Sequence, residues 1–524
     1  MVRKMVTFFK KKRRLPKQQQ QTEQPNVQQS KNKKNDEEKN KHVEDWEKEL
    51  AKSQDYKKTF YFNQKTGKKF NFTFMPTLVD EKVVDNHALP SLLEGEFAHI
   101  DDVKKLLPIV DVELSTEKHE IAKKLLEGYV LLTLEDDMRK FAFFSAQKEV
   151  VRSVSPPEIE FSVIGPKEAF VESINQNINM IRKRLPIKEL ITEEFTIGKL
   201  SKTKVALLYI DGITNGDIVN TVRQRINDIE FDDLVDSSYL VQLISDNERS
   251  PFPQLLDTER PDRVVSVLGE GKIAIIADGS PHVLIGPTTL MEFFSSFEDY
   301  YLNWFLASFL RLIRVFGVTF SVLITPIYVA TLSYHYELIP KDLLSTLIVS
   351  RRVVPFPPIL EALFLEITIE LLREAGARLP TKVGQTIGIV GGIVLGTASV
   401  EAGLTSNVLL IFIALSALAS FTTPVYKMSN TIRLLRFPFL FMAELWGMLG
   451  ITVAFCFMLT HLIRLESLGF PFMQPLYPPR REDLKDAFIR LSFKKQANRP
   501  QFLRTEKPQR FSTEKANQIN DIDE

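Results

Sequence analysis

The apolar residues of this chain are concentrated in one place, and that placement limits what the chain can become. Four stretches, residues 315–334, 383–400, 408–425 and 437–463, are free of charge apart from Glu444 and His461 in the last. About 20 apolar residues in a helix span the roughly 30 Å of a bilayer's hydrocarbon. A helix also satisfies its backbone polar groups internally, as a lipid setting demands. The four stretches therefore predict membrane-spanning helices. A fifth segment, residues 359–372, is similarly apolar but carries glutamates.

Over the whole chain the charge nearly balances: 67 Lys and Arg against 66 Asp and Glu, net +1 in 524 residues. That balance leaves no electrostatic footprint for nucleic acid. The single cysteine, Cys456, excludes a disulfide framework and a cysteine-based metal site. The seven histidines are scattered, with no H-x-x-x-H pair, so neither a metal nor a cofactor is expected. Gly269-x-Gly271-Lys272 lacks the earlier glycine and the following Ser or Thr of a phosphate-binding loop. G-x-S-x-G and H-E-x-x-H are absent, and the expectation is a protein that is not an enzyme. Residues 1–14 hold too short an apolar run for a signal peptide, which predicts a cytoplasmic start.

Composition divides the chain into five parts. Residues 1–56 form a basic, Gln-rich tail with too little apolar surface to fold. Its basic cluster, residues 10–14, would suit an anionic lipid surface. Residues 57–155 and 156–310 read as two soluble mixed α/β subdomains, parted at Ser155-Pro-Pro157. Residues 311–465 form the transmembrane bundle, and residues 466–524 a C-terminal tail. The fold class is thus a soluble α+β region followed by an α-helical bundle of four clear spans plus one acidic amphipathic or re-entrant helix.

Within the soluble half, residues 129–134 read as a buried strand and 141–144 as its partner across a polar turn at 135–140. Residues 167–184 have helical spacing, with basic residues near the end. Residues 205–210 read as a strand, and Asn215 as the cap of the helix that follows. Glu127-Gly-Tyr-Val-Leu-Leu-Thr-Leu is echoed by Glu270-Gly-Lys-Ile-Ala-Ile-Ile-Ala, which predicts two related hairpins, one per subdomain.

Basic residues place the start of the first span, after Arg311 and Arg314, on the cytoplasmic side. If residues 359–372 cross the membrane, Arg373, Arg378, Lys382, Lys427, Arg433 and Arg436 all fall inside, but the basic C-terminal tail falls outside. If they do not cross, the tail is inside and the middle basic loops are not.

Three constellations could carry function. Glu366, Glu370 and Glu374 share one face of the acidic helix, and Glu361 lies nearly opposite. At membrane depth such carboxylates face protein or a water path, as a cation pathway or gating ion pair. At the interface they would simply face water. Gly384, Gly388, Gly392 and Gly396 recur every four residues, with Gly391 beside them. This seam lets another backbone approach, either within the chain or between copies lining a pore. Val390 and Val394, away from the seam, are the pore or gating candidates, since apolar rings gate by dewetting. Ser250-Pro-Phe-Pro253 with Glu259-Arg-Pro-Asp-Arg263 reads as structural ion pairs or as a functional contact.

A series of segments carries a specific resemblance: Lys204-Val-Ala-Leu-Leu-Tyr-Ile-Asp-Gly212, Ser250-Pro-Phe-Pro-Gln-Leu255, Thr258-Glu-Arg-Pro-Asp-Arg-Val264, Pro355-Phe-Pro-Pro358, Glu370-Leu-Leu-Arg-Glu-Ala-Gly376, Gly384-Gln-Thr-Ile-Gly-Ile-Val-Gly391 and Leu434-Leu-Arg-Phe-Pro438. In this order they resemble the A subunits of GerA-type spore germinant receptors, from about residue 57 to about residue 491. The resemblance implies a protein of the spore inner membrane with its N-terminal region in the cytoplasm. It implies a transporter-like, nutrient-binding B subunit and a lipoprotein C subunit as partners. It further implies a homo-oligomer, a pentamer, that forms a nutrient-gated channel for monovalent cations and starts germination. SpoVAF-like proteins share this pattern and would amplify ion release without sensing nutrient. A non-conducting scaffold that clusters receptor complexes is the alternative from another class.

Overall fold

The computed structural model describes residues 46–109, 111–148, 157, 160, 162–379, 381–480 and 482–512, without the side chains of 119, 137–138 and 381–390. The basic cluster at 10–14, the Gln-rich stretch and most of Ser155-Pro-Pro157 lie outside it. Residues 49–524 form one unit, and everything below lies within that unit.

Two five-stranded antiparallel sheets make up the soluble half. The first contains β1 (Lys57–Phe62), β2 (Lys69–Phe74), β3 (Val112–Ser115), β4 (Tyr129–Leu134) and β5 (Asp137–Ser145), in the spatial order β1-β2-β4-β5-β3. Helix α1 (His119–Leu126) precedes β4. Alternate residues of β2 and β4, among them Phe70, Phe72, Val130 and Leu132, point into one apolar core. The second sheet contains β6 (Leu190–Ile197), β7 (Thr203–Ile210), β8 (Leu256–Thr258), β9 (Ile273–Ala277) and β10 (Val283–Gly286). Its order, β6-β7-β9-β10-β8, repeats that of the first strand for strand. Its helices are α2 (Ile174–Arg184), α3 (Gly216–Asn227), α4 (Ser237–Ile244) and α5 (Pro261–Glu270).

The echo in the sequence thus marks a repeat of a whole sheet topology. In both copies a helix stops at glycine and a central strand begins. Gly128 and Gly271 have φ of 88° and 99°, which residues with a side chain rarely adopt. The strand at 129–134 is where the apolar run put it, but its partner starts at Asp137, so the turn is shorter than expected. The helix expected from 167 begins only at Ile174. Before it, the Asn177 side chain ties down the Val171 N–H and C=O. Asn215 caps α3, accepting from the Asp217 N–H at 2.9 Å. The tail boundary expected at 56 falls too late: Leu50, Ser53 and Asp55 are buried. The subdomains are joined through Asp55, which Thr77 of the first contacts at 3.0 Å and whose two oxygens bind the Arg182 guanidinium of the second at 2.6 and 2.7 Å.

The second half is helical: α6 (Trp304–Ser333), α7 (Lys341–Arg351), α8 (Pro358–Arg378), α9 (Thr381–Glu401), α10 (Asn407–Ser420) and α11 (Tyr426–Arg464). Among the described residues, two helices are long and apolar enough to cross a membrane, α6 and α11, where four spans were expected. The stretch 408–425 falls short because α10 has 14 residues, about 21 Å of helix. The Ser406 hydroxyl caps its start, and a turn ahead of Pro424 ends it. The stretch 383–400 lies in α9, where the side chains of 381–390 are outside the described set.

The stretch 437–463 is not one rod. Thr431 donates to the Pro251 carbonyl, and His461 lies 2.9 Å from the Ser250 hydroxyl. On a straight helix those residues would be about 45 Å apart. Helix α11 instead doubles back at Trp446 and Gly447, where Gly447 has φ 59° and ψ −136°. A Cβ at Gly450 would run into the Met442 carbonyl, so the two arms need glycine to lie this close. Both ends of α11 therefore meet the soluble half, at the Ser250-Pro-Phe-Pro253 loop.

The segment after Arg464, set apart in the sequence as a tail, packs against the second subdomain. Leu468, Phe502 and Leu503 join its core beside Leu284 and Ile273. Arg490 is buried and donates to the Asp299 and Leu302 carbonyls, both at 2.7 Å.

Candidate functional site

The acidic helix α8 brings two glutamates into the interior of the helical half. Glu366 is 6% exposed; its Oε2 accepts from Arg436 on α11 at 2.8 Å and its Oε1 from Thr325 on α6 at 3.0 Å. Arg436 also donates to the Ser321 hydroxyl at 2.7 Å and to the Ser416 carbonyl on α10 at 3.3 Å. One ion pair thus ties together four helices. Uncompensated burial of either charge would cost several kcal/mol, so these hydroxyls and carbonyls let the pair exist there.

Glu361, nearly opposite on the helix wheel, is also fully buried. It accepts from the Ser406 N–H at 2.7 Å, and Arg351 on α7 lies 3.3 Å away without hydrogen-bond alignment. Tyr328 and Ser406 share a hydrogen bond at 3.1 Å beside it. Glu370 and Glu374 behave differently. They pair within their own helix, with Arg373 and Arg378, at partly exposed positions. The four glutamates are therefore two interior anchors and two surface pairs.

The glycine seam is described from Gly391 onward. A Cβ on Gly391 would lie 2.9 Å from Leu372 of α8, and one on Gly396 would lie 3.7 Å from Leu410 of α10. Gly392 has nothing within 4 Å, and Val394 beside it is half exposed. Gly384, Gly388 and Val390 have no described side-chain surroundings. Gly391 and Gly396 thus pack inside the chain, whereas Gly392, Ile393 and Val394 are open in a single protomer.

At the junction of the two halves, Glu259-Arg-Pro-Asp-Arg263 forms internal pairs. Arg260 binds both oxygens of Asp262, and Arg263 pairs with Glu160. Tyr301 donates to Asp262 at 2.6 Å; burial, reinforced by this bond, pushes its phenol up to about 12. Asp299 is held by Arg311 and Arg314 at the base of α6, and Asp486 of the C-terminal segment also pairs with Arg311. Lys427 on α11 pairs with Asp257 of β8 at 3.1 Å.

Sequence reasoning placed Glu366 but passed over Arg436, treating it only as a topology signal. A signal was present: Arg436 sits in the apolar run Leu434-Leu-Arg-Phe-Pro438. Thr325, Ser321 and Ser416 had none, since isolated hydroxyls are common in apolar helices.

A family model described as "Bacillus/Clostridium GerA spore germination protein" matches residues 44–502. The chain belongs to this GerA family. Among relatives, it is 49% identical over 457 residues to spore germination protein GerQA of Bacillus cereus, covering 86% of this chain and 92% of that one. It is 48% identical over 441 residues to spore germination protein GerIA of Bacillus cereus, covering 84% of this chain and 66% of that one. A crystal structure of the N-terminal domain of the A subunit of the Bacillus megaterium spore germinant receptor GerK3 aligns with 46% of this chain and 91% of that domain. The identity is 27% and the TM-score 0.36. In this GerA-family chain the Glu366–Arg436 pair, the Glu361 anchor and the open face of α9 form the candidate site.

Proposed function

We propose that this chain is the A subunit of a nutrient germinant receptor. Its helical half lies in the spore inner membrane, with the soluble half on the cytoplasmic side. Several copies, five on the family pattern, form a nutrient-gated channel for monovalent cations. A nutrient-binding B subunit and a lipoprotein C subunit complete the receptor. The work is conformational and electrostatic rather than catalytic.

The observation that carries this reading is a charged interior inside an apolar exterior. Glu366 and Arg436 are buried at the centre, while Phe316, Leu371, Ile393, Leu449 and Phe457 face outward. Exposed apolar area on that scale suits lipid, not water. Exposed Trp304 and Tyr426 at the soluble end and Tyr336 and Trp446 at the other suit the two membrane interfaces.

The fold-back of α11 supports six crossings, α6, α8, α9, α10 and the two arms of α11, with local thinning of the bilayer accommodating the short α10. An even number puts the C-terminal segment on the side of the soluble half. It also places Arg373, Arg378, Lys427 and Arg464 together at that end, which removes the charge conflict left by counting α11 once. Gating would act by differential contact: nutrient binding on the B subunit favours one of two arrangements of the helices that Glu366 and Arg436 tie together.

The test is reconstitution of the purified chain, alone and with the B and C subunits, in liposomes loaded with potassium. Nutrient-dependent efflux is expected, reduced in Glu366→Gln and nutrient-independent in Val394→Ala. Oligomers that pass no cation under any condition would instead assign the chain to a scaffold.

A further inference from the structure

A cavity of about 350 Å³ lies away from the candidate site, between α5, the turns at Leu290–Phe294 and Phe297–Tyr300, and the C-terminal segment from Glu482 to Arg510. That volume is within the range of small-ligand sites. Its charges are unevenly used. Five carboxylates line it, and each has a protein partner. Glu270 pairs with Arg510 at 3.1 Å, and Glu292 with Lys272. Glu482 accepts from the Gln501 side chain at 2.8 Å, and Asp483 accepts the Gln501 and Phe502 N–H groups. Asp486 accepts from Tyr300 at 2.7 Å and pairs with Arg311.

Six cationic side chains line the same cavity, and four of them are engaged. Arg263, Lys272 and Arg510 are in ion pairs, and Arg499 donates to the Gly269, Lys507 and Gln509 carbonyls. Lys485 and Lys495 have no ion pair among the described residues. Burial pushes the Glu270 and Asp483 carboxyls up from their ordinary range.

We propose that this cavity is an oxyanion site, in which Lys485 and Lys495 hold the carboxylate or phosphate of a small solute, or the phosphate of a lipid headgroup. Lys485 precedes Asp486, which binds Arg311 at the base of α6. An occupant would therefore sit between the C-terminal segment and α5, next to the Asp486–Arg311 contact with the bundle. The inference does not depend on the channel reading, since it concerns binding alone.

The experiment uses the full chain in neutral detergent and follows its thermal unfolding midpoint. Inorganic phosphate is titrated against sodium chloride at matched ionic strength, and phosphatidylglycerol against a neutral lipid in mixed micelles. A ligand that binds only the folded form raises the midpoint saturably. Lys485→Gln with Lys495→Gln is expected to weaken half-saturation about tenfold or more, through loss of two charge-assisted contacts. Lys494→Gln, a neighbouring lysine outside the cavity, should leave it unchanged. A response to phosphate assigns a solute, and a response to phosphatidylglycerol alone assigns a headgroup. The idea is overturned by a chloride response equal to that of phosphate, by no saturable response to either ligand, or by a response that survives the double substitution.

Discussion

Asp55–Arg182 in the soluble half and Glu366–Arg436 in the helical half are both buried arginine–carboxylate pairs, yet their surroundings differ. Arg182 meets Asp55 through two hydrogen bonds, one to each oxygen, and also donates to the Ser53 hydroxyl at 2.9 Å; Asp55 is further held by Ser53 and Thr77 at 2.5 and 3.0 Å. Glu366 gives Arg436 one close contact, and the guanidinium spreads its other hydrogen bonds over Ser321 and Ser416. The first pair is a closed rivet between two subdomains. The second is a single-contact pair shared among four helices, so its arginine depends less on one carboxylate. A rivet fails when one partner is removed, whereas such a node can be redistributed, which is the property the proposed gating needs.

The largest effect should come from breaking the rivet. Asp55→Ala strands Arg182 and should cost about 3–5 kcal/mol, read as a lower denaturant midpoint for the soluble half of the full chain. Replacing both partners, Asp55→Leu with Arg182→Met, should recover most of that loss. If the double variant is as unstable as the single one, charge burial is not what sets the cost. Glu366→Ala should cost less, about 1–2 kcal/mol, the range for interhelical polar contacts in membranes. Unfolding in mixed micelles by SDS, followed by helix content, measures it. A loss equal to that of Asp55→Ala would show that Arg436 has no usable alternative and would erase the contrast.

A smaller effect is expected at Asp236, which caps α4. Burial would raise its pKa, but hydrogen bonds from Ser238, Ser280 and the Ser237 N–H outweigh it and hold the carboxyl at about 2. A depressed folded pKa contributes stability above the unfolded value, about 3.9, and that contribution is lost as pH falls from about 4 toward 2. Asp236→Ala should cost about 1 kcal/mol at neutral pH, as lost caps do, and flatten that acid limb. An unchanged acid profile would assign the acid loss to other carboxylates. The smallest effect belongs to Gly392→Ala, with stability unchanged or raised by up to about 1 kcal/mol in the protomer. Loss of the oligomer in this variant, measured by light scattering, would show that the open face of α9 is closed by a second copy.

The same two regions explain what could be read from the sequence. Glutamates 361 and 366 stood out because carboxylates are rare in an apolar run, so their importance was visible before their partners were. Asp55 and Arg182 are 127 positions apart, and nothing local distinguishes them from surface charges; only the pairing of subdomains creates their value. Hairpin β9–β10 was legible because Glu270-Gly271 repeats Glu127-Gly128. The turn in α11 was not, because hydropathy averages over Trp446-Gly447 and cannot see a single φ of 59°. The expectation of a free tail failed for a related reason. Phe502 and Leu503 are too few to form a core alone, but they complete one supplied by residues more than two hundred positions earlier.

That completion has a consequence for how the molecule is made. Leu503 is fully buried in the core of the second subdomain, whose strands are synthesised first. At the usual 5–20 residues per second, the ribosome takes roughly 10–40 s to travel from the last strand of that sheet to residue 503. During that interval the bundle is being inserted and the sheet has an open flank. The second subdomain therefore closes last, sealed by the segment around Leu503 once the helices have been made. A chain that stalls or is clipped before residue 503 leaves the ribosome with that flank still uncovered, a state quality-control proteases can recognise.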